Sequence, residues 1–344
     1  MDGTTAYPTI RDIAARVGMS KSLVSLALQD SPRVAQASKA AILSAAEELG
    51  YRRNAAARAL VAHRTRTIGV FLLDLHNPIT ADLVAAVQEE ARRRGYQTIV
   101  VVGGDSATER AEIVKLLEFR VEGIVAVGHR LPAGGREAIT STCPGVIIGS
   151  EQTGVPDLLS ISNDDAVGAR LAVEHLISLG HTRIAHVTGG RSLVARRRRR
   201  GYEQAMRDSG LGAEVSCHDG DFTDEGGHHG AWAALTSGRP PTALFVVNDF
   251  AAFGAMAAVV DLGLRVPEDV SVVGYDGTRL SGLRALSLTT VVQPLESMGS
   301  QAVAHLCSRL DGDDASPKKR IRLTPSLVAR ETTAPLRTAE HEGA

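Results

Sequence analysis

Several polar side chains stand directly after apolar runs, where a strand would deliver them to one end of a sheet. Asp74, His76 and Asn77 follow the run Ile68–Leu73, Asn248 and Asp249 follow ALFVV, and Asp276 follows VSVVGY. Acids and amides opposed across a cleft can hold the hydroxyls of a sugar, accepting and donating at once. Asn77 also suits a turn before Pro78, and Asp276 one with Gly277. Five consecutive arginines, 196 to 200, invite a nucleic-acid reading. On a helix they point in all directions, so only one or two can face any one partner. His218, Asp219, Asp221, His228 and His229 lack a metal-ligand spacing such as H-E-x-x-H, and a solvent-exposed loop is expected there. There is no G-x-S-x-G elbow, no P-loop and no G-x-G-x-x-G after the first strand, so no enzyme is expected and no cofactor.

The elements that position these residues alternate in type. Strands are expected at Ile68–Leu73, Gln97–Val102, Gly123–Val127, Ile184–Thr188, Ala243–Val247 and Val270–Tyr275. Amphipathic helices are expected at 80–94, 107–119, 165–179, 196–208 and 250–262. That rhythm implies parallel sheets covered by helices on both faces, in two lobes with a ligand cleft at the carboxyl ends of the strands.

The first fifty residues follow another pattern. Thr9 with Asp12 resembles a capping box, and Ile10, Ile13, Ala14 and Val17 form the stripe of a one-sided helix that Gly18 ends. Ser20 caps a second helix with Leu23, Val24, Ala27 and Leu28 buried, and 39–49 make a third. Two short helices joined by a glycine turn form a helix-turn-helix. In a major groove the second helix would present Lys21, Ser22 and, one turn on, Leu26 to the bases, with Ser20 at a phosphate. Asn54 can cap the short alanine-rich piece that ends at Leu60. That piece is too short to persist alone as a helix. It reads either as a minor-groove binder, with Arg52, Arg53 and Arg58 on phosphates and Leu60 wedged between base steps, or as a linker ending at His63–Arg66.

Charge agrees with a nucleic-acid partner for the head. Residues 1–66 carry ten Lys and Arg against five Asp and Glu, a formal +5, within a chain whose net charge is −1. With 344 residues, 44% hydrophobic and 22% charged, the chain is an ordinary globular protein of two or three domains. No apolar run is long enough for a membrane span, no export signal opens the chain, and Cys143, Cys217 and Cys307 are too far apart for a disulfide framework. A cytoplasmic location is expected. A secreted solute-binding protein, the main rival, would need the export signal and no helix-turn-helix.

The segment PTIRDIAARVGMSKSLVSLALQDSPRVAQASKAAILSAAEELGYRRNAAARAL resembles the head and hinge of the lactose-repressor/galactose-repressor family of bacterial transcription regulators. RTIGVFLLDLHNPI, GARLAVEHLISLGHTRIAHVTGG, VPEDVSVVGYD and LTTVVQP continue the resemblance over nearly the whole chain. It implies a small all-α helix-turn-helix head plus an α/β two-lobed periplasmic-binding-protein-like body of two parallel sheets flanked by helices. The expected limits are 7–53 for the DNA-binding domain, 54–66 for hinge and linker, and 67–336 for the effector-binding domain, with a disordered tail at 337–344. The lobes would be about 67–161 with 292–322 and about 162–291 with 323–336, the chain crossing three times. By resemblance Asn77, Ile79, Asn248 and Asp276 hold an effector, Arg198 reaches it and Gln293 lies near it. Asp74, His76, Ser150 and Arg191 complete the expected effector set. Thr9, Ser25, Arg33, Tyr51, Asn54 and Ala57 join the DNA-facing residues above. The implied partners are double-stranded operator DNA, a small sugar-like effector and a second copy of the chain; the tail shows no leucine heptads, which favours a dimer. Four positions depart from the family pattern. Arg53 stands where a proline is usual, Leu26 where an arginine is common, Leu23 where a threonine is usual, and Gly277 where a second acid is usual.

Overall fold

The computed structural model describes residues 8–52, 64–73, 75–103, 108–128, 133–149, 158–313 and 320–337. The chain separates into two compact units, Met1–Thr65 and Arg66–Ala344.

In the first unit, Thr9 and Asp12 form a reciprocal capping box at the start of α1 (Ile10–Val17), and Gly18 ends that helix at φ 66. Ser20 caps α2 (Lys21–Leu28) by accepting from the Leu23 amide at 3.2 Å. α3 spans Gln36–Glu48, three residues earlier than its apolar stripe suggests. It starts early because a turn, closed by the Val34 amide on the Ser31 carbonyl at 3.3 Å, brings Val34 into the core. Ile13, Val24, Ala27, Leu28 and Ile42 form that core, with Leu23 and Tyr51 packed at its edge.

The second unit holds two six-stranded sheets. The strands of the first are β1 (Thr67–Leu72), β2 (Gln97–Val102), β3 (Gly123–Val127), β4 (Gly145–Ile148), β5 (Leu158–Asn163) and β11 (Arg320–Leu323). Their order is β11-β5-β4-β3-β1-β2, and every pairing is parallel. Helices α4 (Pro78–Arg93) and α11 (Leu295–Leu310) pack on one face, and α5 (Glu109–Glu118) and α6 (Ala133–Thr140) on the other. The second sheet has β6 (Ile184–Val187), β7 (Ser216–His218), β8 (Ala243–Val246), β9 (Ser271–Asp276), β10 (Thr289–Val292) and β12 (Ser326–Val328), in the order β12-β10-β9-β8-β6-β7. Its edge strand β12 runs antiparallel to β10, so this sheet departs from the all-parallel expectation. The chain returns directly from β11 into β12, with no helix between them to reverse its direction. α7 (Asp165–Ser178) and α8 (Leu193–Asp208) cover one face, α9 (Asp224–Leu235) and α10 (Asp249–Asp261) the other.

Apolar strands covered on both faces follow from this layering; in β3, Ile124 and Ala126 face one core while Val125 and Val127 face the other. The chain passes between the sheets after β5, after β10 and between β11 and β12.

The loop expected around the histidine-rich stretch is largely regular structure. His218 ends β7, and His228 and His229 lie on α9, which Thr223 caps. Glycines hide this helix in the sequence, yet they allow it: a Cβ on Gly227 would stand 1.9 Å from the Ala251 carbonyl oxygen, and one on Gly254 equally close to that of Asp224. α9 and α10 thus cross in backbone contact.

Candidate functional site

The described residues expected at a site fall on the head and in the body. On the head, the first turn of α2 is exposed at Lys21 and Ser22, and Leu26 is 36% exposed, high for a leucine on a helix that otherwise buries its apolar residues. Lys21, Arg33 and Arg52 form no ion pair among the described residues and stand in solvent. Ser25 is half-buried. The hydroxyls of Thr9 and Ser20 are occupied as caps. Tyr51 packs against the head core. Arg53, Asn54, Ala57, Arg58 and Leu60 lie outside the described residues, as do Asp74 and Ser150 of the expected effector set.

In the body, a cavity of about 200 Å³ opens between the two lobes at the carboxyl ends of β1, β3, β4, β5 and β9. Of the expected residues it brings together Asn77, Ile79, Arg198, Asp276 and Gln293. Asn77 caps α4, its Oδ1 accepting from the Ile79 amide at 3.2 Å, and its turn role and its place on the wall coincide. Asp276 is the last residue of β9 and takes φ 115, a conformation that side-chain-bearing residues rarely adopt. Gly277 follows at φ 70, and a Cβ there would meet the Val292 backbone at 2.7 Å, so an acid at this position would not fit the turn.

Arg198 is the electrostatic centre. It is 3% exposed, although it sits in the five-arginine run. Its Nε donates to Asp165 Oδ1 at 3.1 Å, and its Nη1 to the Val247 carbonyl at 2.6 Å and to Asp276 Oδ1 at 3.3 Å. The guanidinium lies over the Tyr275 ring, 3.6 Å from its centroid. Burial opposes its charge, and the carboxylates of Asp165 and Asp276 more than offset that, so it stays protonated. The other arginines of the run go elsewhere. Arg199 pairs with Glu203 at 2.7 Å, Arg196 donates to the Arg191 carbonyl, Arg200 is exposed, and Arg197 lines the cavity.

Burial pushes the Asp276 carboxyl up to about 7, with the nearby Asp249 charge adding to the rise and Arg198 and Gln293 opposing it. Gln293 Nε2 donates to Asp276 Oδ1 at 2.8 Å. Asp249 is likewise raised by burial, to about 6, while accepting from Thr290 and from the amide and hydroxyl of Thr278. It anchors the loop after β9 rather than facing the cavity.

Three expected effector residues stand apart. Asn248 is fully buried as the cap of α10, with Oδ1 accepting from the Ala251 amide and Nδ2 donating to the Phe222 carbonyl. His76 and Arg191 are exposed and do not line the cavity. The sequence reading missed Ser162 and Asn163 at the end of β5, Asp165 at the start of α7, and Phe222 in the loop before α9, all of which line it. Asn163 and Asp165 stand at the end of a strand just as Asn248 and Asp249 do, a signal hidden because Ser160 and Ser162 break the apolar run of that strand. Phe222 stands in a loop with no periodicity to mark it.

Residues 9–54 match the model for bacterial regulatory proteins of the lacI family, and 173–333 that for a periplasmic binding protein-like domain. Over 331 residues the chain is 32% identical to the HTH-type transcriptional repressor PurR of Haemophilus influenzae, covering 94% of this chain and 98% of that one. The chain belongs to the lacI family. As a lacI-family member it is a DNA-binding transcription regulator and not an enzyme. It is also 32% identical to the HTH-type transcriptional regulator GalR of Salmonella typhimurium, with 95% and 96% covered. A crystal structure of the lac repressor dimer bound to operator and the anti-inducer ONPF matches with TM-score 0.81 and 30% identity, over 96% of this chain and all of that one. No helix among the described residues is long and apolar enough to cross a membrane.

Proposed function

We propose that the protein is a cytoplasmic repressor that grips a roughly palindromic operator as a homodimer and is controlled by a small molecule in the body cavity. The observation that carries this reading is the coexistence, in one chain, of an exposed recognition turn and an interlobe cavity at the strand ends into which Asn77, Arg198, Asp276 and Gln293 converge. Lys21, Ser22 and Leu26 discriminate bases, Ser25 and Arg33 flank them, and Arg52 with Arg53 and Arg58 holds phosphates. Leu60 enters the minor groove beside Asn54 and Ala57. Asp276 receives the effector, Arg198 and Gln293 hold its carboxylate in place, and Asn77 and Ile79 close the opposite wall. Effector binding changes how the lobes close, which alters the separation of the two hinge segments in the dimer. A coupling of about 1–3 kcal/mol is ordinary for such a switch.

The test is operator selection from a random duplex pool, followed by binding measurements with and without a metabolite panel. The reading requires one preferred, two-fold-symmetric sequence and at least one metabolite that shifts affinity for it. A pool that does not converge would reject it.

A further inference from the structure

The two lobes also meet away from the crossing strands. Asp82, on α4 of the first lobe, accepts through Oδ2 from the Arg279 amide of the second at 3.0 Å. Both partners are held from behind. α4 places Asn77, Ile79, Thr80 and Leu83 on the cavity wall, so Asp82 moves with that wall. Arg279 stands three residues after Asp276, in a loop with little freedom. Asp276 and Gly277 take φ 115 and 70. The Thr278 amide and hydroxyl donate to the Asp249 carboxylate at 2.8 and 2.9 Å, and the Ser281 hydroxyl to the Thr278 carbonyl at 2.7 Å. The loop therefore carries the position of Asp276 out to Arg279. Asp82 and Arg279 also line a second groove, and Gln293 and Leu295 line groove and cavity alike. No neighbour on the helix can replace Asp82. The residues three and four positions away on α4 are Pro78, Ile79, Ala85 and Ala86, none with a polar side chain.

We propose that the Asp82–Arg279 contact is a latch that holds the lobes in the arrangement of this structure. Its regulatory meaning rests on the reading of the cavity as the effector site. A ligand that changes the spacing between the Asn77 wall and Asp276 must stretch or shorten this contact, so ligand binding and the latch are energetically linked. A carboxylate accepting from an amide at a partly exposed position shifts a two-state equilibrium by about five-fold. That biases the lobes without fixing them, as a switch requires.

The experiment is pulsed electron paramagnetic resonance on the full-length chain, with one spin label in each lobe. Glu137 on α6 and Ser178 on α7 are exposed and take the labels through introduced ketone side chains, which leaves the native cysteines untouched. In Asp82→Ala the interlobe distance distribution should move away from that of the parent, with the alternative lobe arrangement gaining about five-fold in population. Asp82→Asn keeps a side-chain oxygen to accept the amide and should stay close to the parent. Superimposable distributions for the parent and Asp82→Ala overturn the latch. An Asn variant displaced as far as the Ala variant overturns it too, because charge and not the hydrogen bond would then be responsible. The metabolite panel tests the effector reading on its own: operator affinity that answers to no metabolite fails that reading and leaves a distance shift in Asp82→Ala standing.

Discussion

Arg198 Nη1 lies 3.3 Å from Asp276 Oδ1, and both side chains are buried against Tyr275 at the floor of the cavity. Asp165 completes a triad of two carboxylates around one guanidinium. Removing the arginine alone leaves two buried acids facing each other. Arg198→Met should destabilise the body by about 3–5 kcal/mol, read as a lower midpoint in urea unfolding. Adding Asp165→Leu to the same chain should recover part of that loss. A single variant as stable as the parent would remove Arg198 from the centre of the network.

Close backbone crossing gives a second expectation. A methyl group on Gly254 has to occupy space 1.9 Å from the Asp224 carbonyl oxygen, where nothing flexible can move aside. Gly254→Ala should therefore cost about 1–3 kcal/mol or more, despite alanine's better helix propensity. At Gly238, where a Cβ meets nothing within 4 Å, Ala should be close to neutral. Thermal unfolding of the two variants distinguishes them.

Much of this was legible in the residues. The caps Thr9, Ser20 and Gly18, and the strands with continuous apolar runs, follow from local chemistry. β5 was not, because its serines break the run, and α9 was not, because Gly226, Gly227 and Gly230 argue against a helix until their close neighbours are known: Asp221 at Gly226, α10 at Gly227, and Val187 with Asp219 at Gly230. At the cavity, Asp276 and Asn77 could be found from their position after strands. That Asn248 is a cap rather than a wall residue depends on which way α10 turns, and no pattern in the sequence encodes that.

His186 provides a pH dependence with a definite sign. It is fully buried, stacked 4.7 Å from Phe245, and burial pushes its pKa down to about 4. Nδ1 lies 2.9 Å from the Phe245 carbonyl and Nε2 has no partner, so a second proton would be buried without an acceptor. The folded pKa is below the unfolded one near 6.5, so the unfolded chain gains protons first as pH falls. The contribution is whole above about 6.5 and disappears toward about 4, amounting to about 3 kcal/mol. Asp276 and Asp249, whose pKa values are raised, act in the opposite sense: what they contribute is present below about 4 and lost as pH rises toward 6 to 7. Unfolding of His186→Phe followed from pH 7 to pH 4 should show a flatter slope than the parent; parallel slopes would contradict this.

Contacts on the head separate into positioning and discrimination. Ser20→Ala removes the α2 cap and should cost about 1 kcal/mol in head stability. Arg52→Ala should leave stability unchanged, weaken binding to all duplexes alike and lower the salt slope by about one. Titrations of specific and random DNA at several salt concentrations check both.

The most direct measurement is fluorescence anisotropy of the full chain on a selected operator and on its scrambled counterpart at physiological salt, repeated with Lys21→Ala. The expected preference for the selected duplex is about a thousand-fold or more, and Lys21→Ala should erode it by reducing affinity for the selected duplex more than for the scrambled one. Equal binding to both duplexes by the parent chain would contradict a sequence-reading role for the head.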